Sequence, residues 1–346
     1  MSNGTLEAIR SFFGCDHAIA VGSGTAGLVL ILEAIGVRGR RVLMPSLACP
    51  NVAVAIMAAG GIPWLVGTSA RDYCISVSAV AAAMGDDVGA VVAIDAFGYP
   101  ADIDGLRDAV SRWSCPVIDD ACQAYGGFVA GQAVGSRGDA GLISFGYAKT
   151  VELRGGGIVL TGSAELAESM EQIRGEHTYR RFRTLKNRVA LRLMFQDRYD
   201  RMARWADRFD LLRYDFPPGQ WRKLGKAWSS FERRLDAFAR AHRDIAQAVA
   251  VIPGVEPFDY RLDGWMPWRY SFKTSGSRQA DRMVKLLADA GVKTSRLYRP
   301  VDEFLKVETA GSLDRDRRLA DTTVNLSYRH DEKELERLLD ALRACN

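Results

Sequence analysis

The chain has 346 residues, 48% hydrophobic and 25% charged, enough for about two domains of roughly 100–200 residues with a sizeable core, which excludes a disordered or fibrous polymer. Its 46 Lys and Arg nearly cancel 42 Asp and Glu, and a net charge of +4 is too weak a field to select nucleic acid as a partner. The six cysteines form no CxxC pair and no Cys/His spacing, so neither a metal site nor a disulfide framework is expected; with no apolar run of ~18 residues and no cleavable leader, the expectation is a cytoplasmic chain without a membrane span.

Between Ile19 and Val159, short β-prone runs alternate with Ala-rich helical stretches, the pattern of a mostly parallel α/β sheet sandwiched by helices. IAVGS, RVLMP, IPWLVG, AVVAIDA, CPVIDDA, GLISFG and GIVLTG read as strands, and 26–35, 52–59 and 103–113 as the crossovers between them. In such sheets ligands bind beyond the carboxyl ends of the strands. From 175 to 228 the chain turns basic and aromatic, with Val189, Leu193, Tyr199, Met202 and Phe209 at near-helical spacing. Asp197, Asp200, Asp207 and Asp210 offset part of its positive charge, which favours packing on the domain or on a second subunit over a membrane-surface helix. After Ser230 an amphipathic helix runs to Val251, where Pro253-Gly254 stops it. WMPWRYSFKT, VKTSRLY and TTVNLSY then read as three strands covered by helices at 279–290 and 332–344. The expected division is a large domain, 1–228, and a smaller C-terminal α+β domain, 229–346.

The polar residues after the strands carry the chemistry. Asp119 and Asp120 end the strand of VIDDACQAYGG, although an Asp there also commonly caps a helix. GLISFGYAKT adds Ser144 at the end of the next strand and Lys149 five residues on, before Gly155-Gly156-Gly157. Together Lys149 and Asp120 suggest a carbonyl cofactor held as a Schiff base, because a desolvated amine forms imines readily and pyridoxal phosphate needs a carboxylate on its ring nitrogen. The phosphate needs a cradle, and VGSGTAGLVLILEAIG supplies strand, glycine turn and helix N-terminus, with Gly24, Thr25 and Ala26 offering N–H groups and a hydroxyl.

The order SGTAGL, MPSLACPNVAVAIMAAGGIP, DAFGYPADIDGL, VIDDACQAYGG with VGSRGDAGLISFGYAK, and LADTTVNLSYRHDEKELERLLDAL resembles the DegT/StrS-type sugar aminotransferases, pyridoxal-phosphate enzymes of fold type I. The resemblance covers most of the chain, with a gap near 178–222. It implies an aspartate-aminotransferase-like large domain. It also implies Asp120 at the pyridinium nitrogen, Gln123 against the cofactor ring and its phenolic oxygen, Ser144 and Thr25 on the phosphate, and Lys149 as Schiff-base lysine and proton carrier. Related dehydratases of this fold carry His where Lys149 stands, so the lysine implies amino transfer. The implied reaction is ping-pong through pyridoxamine 5'-phosphate, from glutamate or glutamine to a keto-sugar, nucleotide-linked for most of the family, or to a related cyclic ketone of natural-product or surface-glycan biosynthesis. A homodimer with a shared active site is also implied.

Several positions depart from the family's pattern. Cys49 stands where an aromatic residue commonly covers the ring, although a thiol can still pack on a ring face. Tyr125 and Leu297 stand where substrate-side histidines are usual, and the partner subunit's phosphate-reaching segment is unrecognisable in PPGQWRKLGKAW, where Gln220 and Arg222 are the nearest replacements. Tyr125 is therefore a candidate substrate contact. Arg154, Arg296 and Arg299 fall where loops approach the mouth of the site and could orient a donor's carboxylate or an acceptor's phosphate. The rival readings are an aminotransferase of small non-sugar ketones or aldehydes, and a noncatalytic sensor or scaffold that uses the basic stretch to bind a partner or a membrane surface.

Overall fold

The computed structural model describes residues 2–69, 71–175, 212–257, 268–296, 298–326 and 332–345. Most of the basic 175–228 stretch, Leu297 and the tail of the TTVNLSY run lie outside the described residues.

Among the described residues, eight strands form the main sheet: β1 (His17–Val21), β2 (Arg41–Pro45), β3 (Ile62–Val66), β4 (Val88–Ile94), β5 (Val117–Asp120), β8 (Ala140–Ser144), β9 (Gly157–Thr161) and β13 (Glu308–Thr309). Their spatial order is β1-β9-β8-β5-β4-β2-β3-β13. Only the pairings of β9, with β1 and with β8, are antiparallel; the remaining ladders are parallel. This is the expected mostly parallel sheet, and its central strands β4, β5, β8 and β9 are buried along their whole length, as apolar runs covered on both faces must be. A two-residue hairpin, β6 (Phe128–Val129) and β7 (Gln132–Ala133), lies between β5 and β8.

Helix α2 (Gly24–Ile35) is a deeply buried crossover. Its sequence GTAGLVLILEAI is apolar nearly all round, because it packs on α3 (Pro50–Ala58) and α6 (Ala164–Gly175) as well as on β8 and β9. A side chain at Gly27 would collide with Leu142 of β8, so this glycine sets how closely the helix approaches the sheet. Two further crossovers are α4 (Val77–Ala83), which the strand-and-helix pattern did not reveal, and α5 (Ile103–Val110).

The second sheet has the order β10-β11-β14-β12 and is antiparallel throughout. It comprises β10 (Val255–Pro257), β11 (Tyr270–Thr274), β12 (Thr294–Ser295) and β14 (Thr323–Leu326), so one strand more than expected. The helix expected after Ser230 is divided: α7 (Trp221–Glu232) ends before α8 (Leu235–Ala250), which lies against β10 and β11. Helices α9 (Ser277–Asp289) and α11 (Glu332–Arg343) complete the second core.

The two sheets are tied together. Strand β13 leaves the second unit and pairs with β3 of the first, Glu308 opposite Trp64 and Thr309 opposite Leu65. Asp316, on α10 (Asp314–Thr322), is buried and accepts hydrogen bonds from the Thr68 backbone N–H (3.1 Å) and hydroxyl (3.0 Å) and from the Ser46 hydroxyl.

Candidate active site

A cavity of about 420 Å³ opens at the carboxyl ends of β4, β5 and β8. Its wall gathers Gly24, Thr25, Cys49, Asp120, Gln123, Ser144, Lys149 and Arg154 from segments far apart in the chain. That volume lies within the range of small-molecule sites, roughly 300–1,000 Å³.

One end of the cavity is the N-terminus of α2. Ser23 caps this helix, accepting the Ala26 N–H at 3.0 Å, so Ala26 is engaged in the cap and does not line the cavity. Gly24 faces Ser144 of β8 so closely that an added Cβ would stand 3.3 Å from the Ser144 hydroxyl and 3.1 Å from the Cys122 sulfur. Thr25, Gly24 and Ser144 thus converge where the helix leaves N–H groups unpaired by its own turns, which is a suitable cradle for an anion.

Asp120 ends β5, 5% exposed, and accepts the Cys122 N–H at 3.1 Å. Burial raises its pKa above the usual carboxylate value, while the Cys122 hydrogen bonds and the nearby Lys149 amine pull it down. A cationic partner in the cavity would offset the desolvation. Next to it, Asp119 points away from the cavity and serves the fold: its Oδ2 accepts the Gly135 and Arg137 N–H groups at 2.9 and 3.0 Å. Two consecutive strand residues face opposite sides of a sheet, so one carboxylate is structural and the other borders the cavity.

Gln123 is fixed at both ends of its amide. Its Oε1 accepts the Phe97 N–H at 2.9 Å, and its Nε2 donates to the Tyr298 hydroxyl at 3.1 Å. Phe97 sits at φ +56°, a left-handed conformation unusual for an aromatic residue, and its ring stacks on Tyr298 at 5.5 Å between centroids.

Lys149 lies on the loop between β8 and β9. Ala148, at φ +58°, turns the chain there; the Trp268 indole N–H donates to the Ala148 carbonyl, and the Ala148 N–H donates to Glu152 at 3.0 Å. The Lys149 Nζ stands 4.9 Å from the Trp268 ring centroid. From beneath, Tyr125 supports the same loop: its hydroxyl accepts the Val151 N–H at 2.7 Å.

This corrects one expectation. Tyr125 is fully buried among Ile143, Phe145 and Phe231 and does not reach the cavity, so it is no substrate contact. Arg296 and Arg299 are not at the cavity wall either: Arg296 pairs with Asp281 and the Asp321 carbonyl, and Arg299 with Glu303 and Asp321 (2.7 Å). Arg154 does line the cavity, its side chain 84% exposed at the rim. Cys49, immediately before α3, lines the cavity as a thiol whose pKa burial pushes up. Gln220 donates to the Leu153 carbonyl at 3.4 Å, behind the rim.

Sequence reasoning missed Ser23, Asn51, Cys122, Tyr214 and Tyr298 in the wall. The Asn51 amide oxygen is buried there without a hydrogen-bond partner, the condition of a group that a ligand completes. Tyr214 lies over Gly22, where any Cβ would overlap its ring, and bonds Ser23 through its hydroxyl. Nothing in the strand pattern could announce it, since it returns to the site after 176–211. Tyr298 stood next to the Leu297 position already singled out, and that proximity was a usable signal.

Among the described residues, no helix is long and apolar enough to cross a membrane. A model of the DegT/DnrJ/EryC1/StrS aminotransferase family matches residues 6–194. An L-glutamine:2-deoxy-scyllo-inosose aminotransferase of Streptoalloteichus tenebrarius is 37% identical over 167 residues, 48% of this chain and 39% of that protein. A UDP-N-acetyl-3-dehydro-alpha-D-glucosamine 3-aminotransferase of Acidithiobacillus ferrooxidans is 31% identical over 180 residues, 51% of this chain and 49% of that protein. The chain thus spans less than half the length of these curated relatives. The crystal structure of DesV from S. venezuelae in complex with a ketimine intermediate superposes with a TM-score of 0.78 at 22% identity, over 99% of this chain and 88% of that one, which shows the same fold.

Proposed function

Because the chain belongs to the DegT/DnrJ/EryC1/StrS aminotransferase family, we propose that it is a pyridoxal-phosphate-dependent aminotransferase that moves an amino group from glutamine or glutamate to the ketone of a sugar or cyclitol. The observation that carries this reading is the single cavity that brings Asp120, Lys149, Ser144 and the N-terminus of α2 together. The 2-deoxy-scyllo-inosose and UDP-keto-sugar named for two relatives support a cyclic polyhydroxy ketone over a small non-sugar ketone as acceptor. The retained amine and carboxylate speak against a purely scaffolding protein.

The donor set fits the cofactor. Gly24, Thr25 and Ser144 would hold its phosphate, Asp120 its ring nitrogen, Cys49 and Gln123 its ring, and Lys149 its carbonyl carbon. Bound there, pyridoxal phosphate supplies an electrophilic carbonyl and an electron-withdrawing ring. The chain's own contributions follow from the geometry. Asp120, held by the Cys122 N–H, would keep a proton on the ring nitrogen by its negative charge. Gln123, clamped between Phe97 and Tyr298, cannot rotate away from the wall. Among the described residues Lys149 is the only lysine lining the cavity, and its Nζ would take up the proton that leaves the substrate carbon and pass it on rather than back. We read 1–228 as the cofactor-binding domain and 229–346 as the smaller domain beside it, in a homodimer.

Borohydride reduction of the protein with pyridoxal phosphate, followed by peptide mapping, tests the assignment. The phosphopyridoxyl group is expected on Lys149. Labelling confined to other lysines would overturn it, and a visible absorbance that neither glutamine nor glutamate alters would remove the proposed donors.

A further inference from the structure

A second cavity, of about 720 Å³, adjoins the first, and Lys149 and Tyr147 line both. Its wall is formed by the 147–152 loop, by Trp268 and Arg269 just before β11, by the end of α9 and by the turn through Lys293. It therefore offers a route to Lys149 whose wall does not include the anion cradle of α2.

The wall is cationic. Arg234, Arg269, Lys293 and Lys149 face it with Glu152 as the sole carboxylate among the described residues, and Glu152 is already engaged by the Ala148 N–H. Arg269 is the unusual member. Its guanidinium lies over the Trp268 ring at 4.3 Å, its Nη1 reaches only the Ser295 hydroxyl at 3.4 Å, and its Nε is buried without an acceptor. Among the described residues no carboxylate pairs with it, whereas Arg296 and Arg299 nearby are each matched to acidic partners. Burial accordingly lowers the Arg269 pKa, opposed in part by Tyr298 and Tyr147. A desolvated guanidinium left unpaired is costly, and its planar fork matches a carboxylate or phosphate.

We propose that Arg269, braced on Trp268, is the specificity-determining residue that binds the oxyanion group of a substrate approaching Lys149: the carboxylate of the amino donor or the phosphate of a nucleotide-linked acceptor. The substrate part of this inference rests on the aminotransferase reading; the oxyanion site itself does not. The role expected of Arg296 and Arg299 thus passes to a residue whose charge is not already neutralised.

The test is calorimetric titration of two nonreacting probes, glutarate and uridine diphosphate, into wild type, Arg269→Gln and Arg269→Lys at fixed ionic strength. Uptake of pyridoxal phosphate, followed by visible absorbance, reports whether the first cavity is intact. Arg269→Gln should weaken one or both probes roughly 10- to 100-fold, and Arg269→Lys should recover part of the loss, keeping charge without the fork. Loss confined to glutarate identifies the donor carboxylate, loss confined to uridine diphosphate the acceptor phosphate, and loss of both a shared oxyanion site. Wild-type binding of neither probe, or binding unchanged in both variants, overturns the proposal. If Arg269→Gln does not fold, unchanged binding by Arg269→Lys is the overturning result. Failure of wild type to take up pyridoxal phosphate would sink the aminotransferase reading while leaving the probe titrations to decide the anion site.

Discussion

The Tyr125 hydroxyl accepts the Val151 N–H at 2.7 Å, and through that bond a buried aromatic residue holds the loop that carries Lys149. Replacing Tyr125 by Phe leaves the Val151 N–H unpaired in a dry site, at a cost of about 1–3 kcal/mol. Urea denaturation should show that loss, and cofactor titration should show weaker uptake. Unchanged stability together with unchanged uptake would mean that the loop does not depend on this bond.

Asp120→Asn preserves shape and the Cys122 contact but removes the negative charge bordering the cavity. Cofactor uptake should survive, whereas kcat should fall by about 10²-fold or more, as expected when a preorganised electrostatic partner is removed. Steady-state kinetics alongside an absorbance titration separates the two. An unaffected kcat would take Asp120 out of the chemistry.

Two buried groups impose opposite pH dependences on stability. His242 is buried on α8 with its Nδ1 donating to the Phe238 carbonyl at 2.9 Å, and burial lowers its pKa from 6.5 to about 4. The unfolded chain binds that proton first, so stability is lost as pH falls from about 6.5 towards 4. Asp95 behaves the other way. Burial and the neighbouring Asp119 and Asp120 raise its pKa well above 3.8, partly opposed by the Ala101 N–H at 2.7 Å, so the folded state holds a proton that the unfolded chain releases. Its contribution is complete below about 3.8 and declines as pH rises towards the raised value. In urea denaturations across pH, His242→Gln should flatten the acid limb and Asp95→Asn the limb on the rising side. Parallel curves for variant and wild type would refute either assignment.

Asp316 receives three hydrogen bonds from Ser46 and Thr68 across the junction of the two sheets. Asp316→Ala leaves those donors buried and unmatched, and a loss of about 3 kcal/mol in the denaturation midpoint analysis is expected. Asp316→Asn, which keeps acceptor capacity at one oxygen, should lose less.

Much of this arrangement was legible beforehand because it depends on local chemistry. The runs from RVLMP to GIVLTG announced the main sheet, and Asp120, Ser144 and Lys149 each stand at or just past a strand end, where parallel sheets place ligands. What stayed hidden depends on where distant segments meet. Tyr125 stands where the resembling family usually has a substrate-side histidine, and only the packing of Phe145 and Phe231 around it shows that it lies away from the cavity. Arg269 sits in an ordinary β-run, WRYSFKT, and what marks it out is that no acidic partner meets it among the described residues, which no spacing rule reports. The two-residue β13 is too short to carry a periodic signal of its own.

That short strand has a consequence for handling the protein. Strand β3 would otherwise end the main sheet, presenting the backbone groups of Ile62–Val66 along an apolar edge where Ile62 is already 43% exposed. Glu308–Thr309 caps this edge, and the Ala310 N–H extends the cover to the Leu65 carbonyl at 2.8 Å. A chain cut before Glu308 would uncover a ready template for edge-to-edge association with its own copies. Expression of such a shortened chain should therefore give aggregates even if every residue of the first cavity were present and correctly folded.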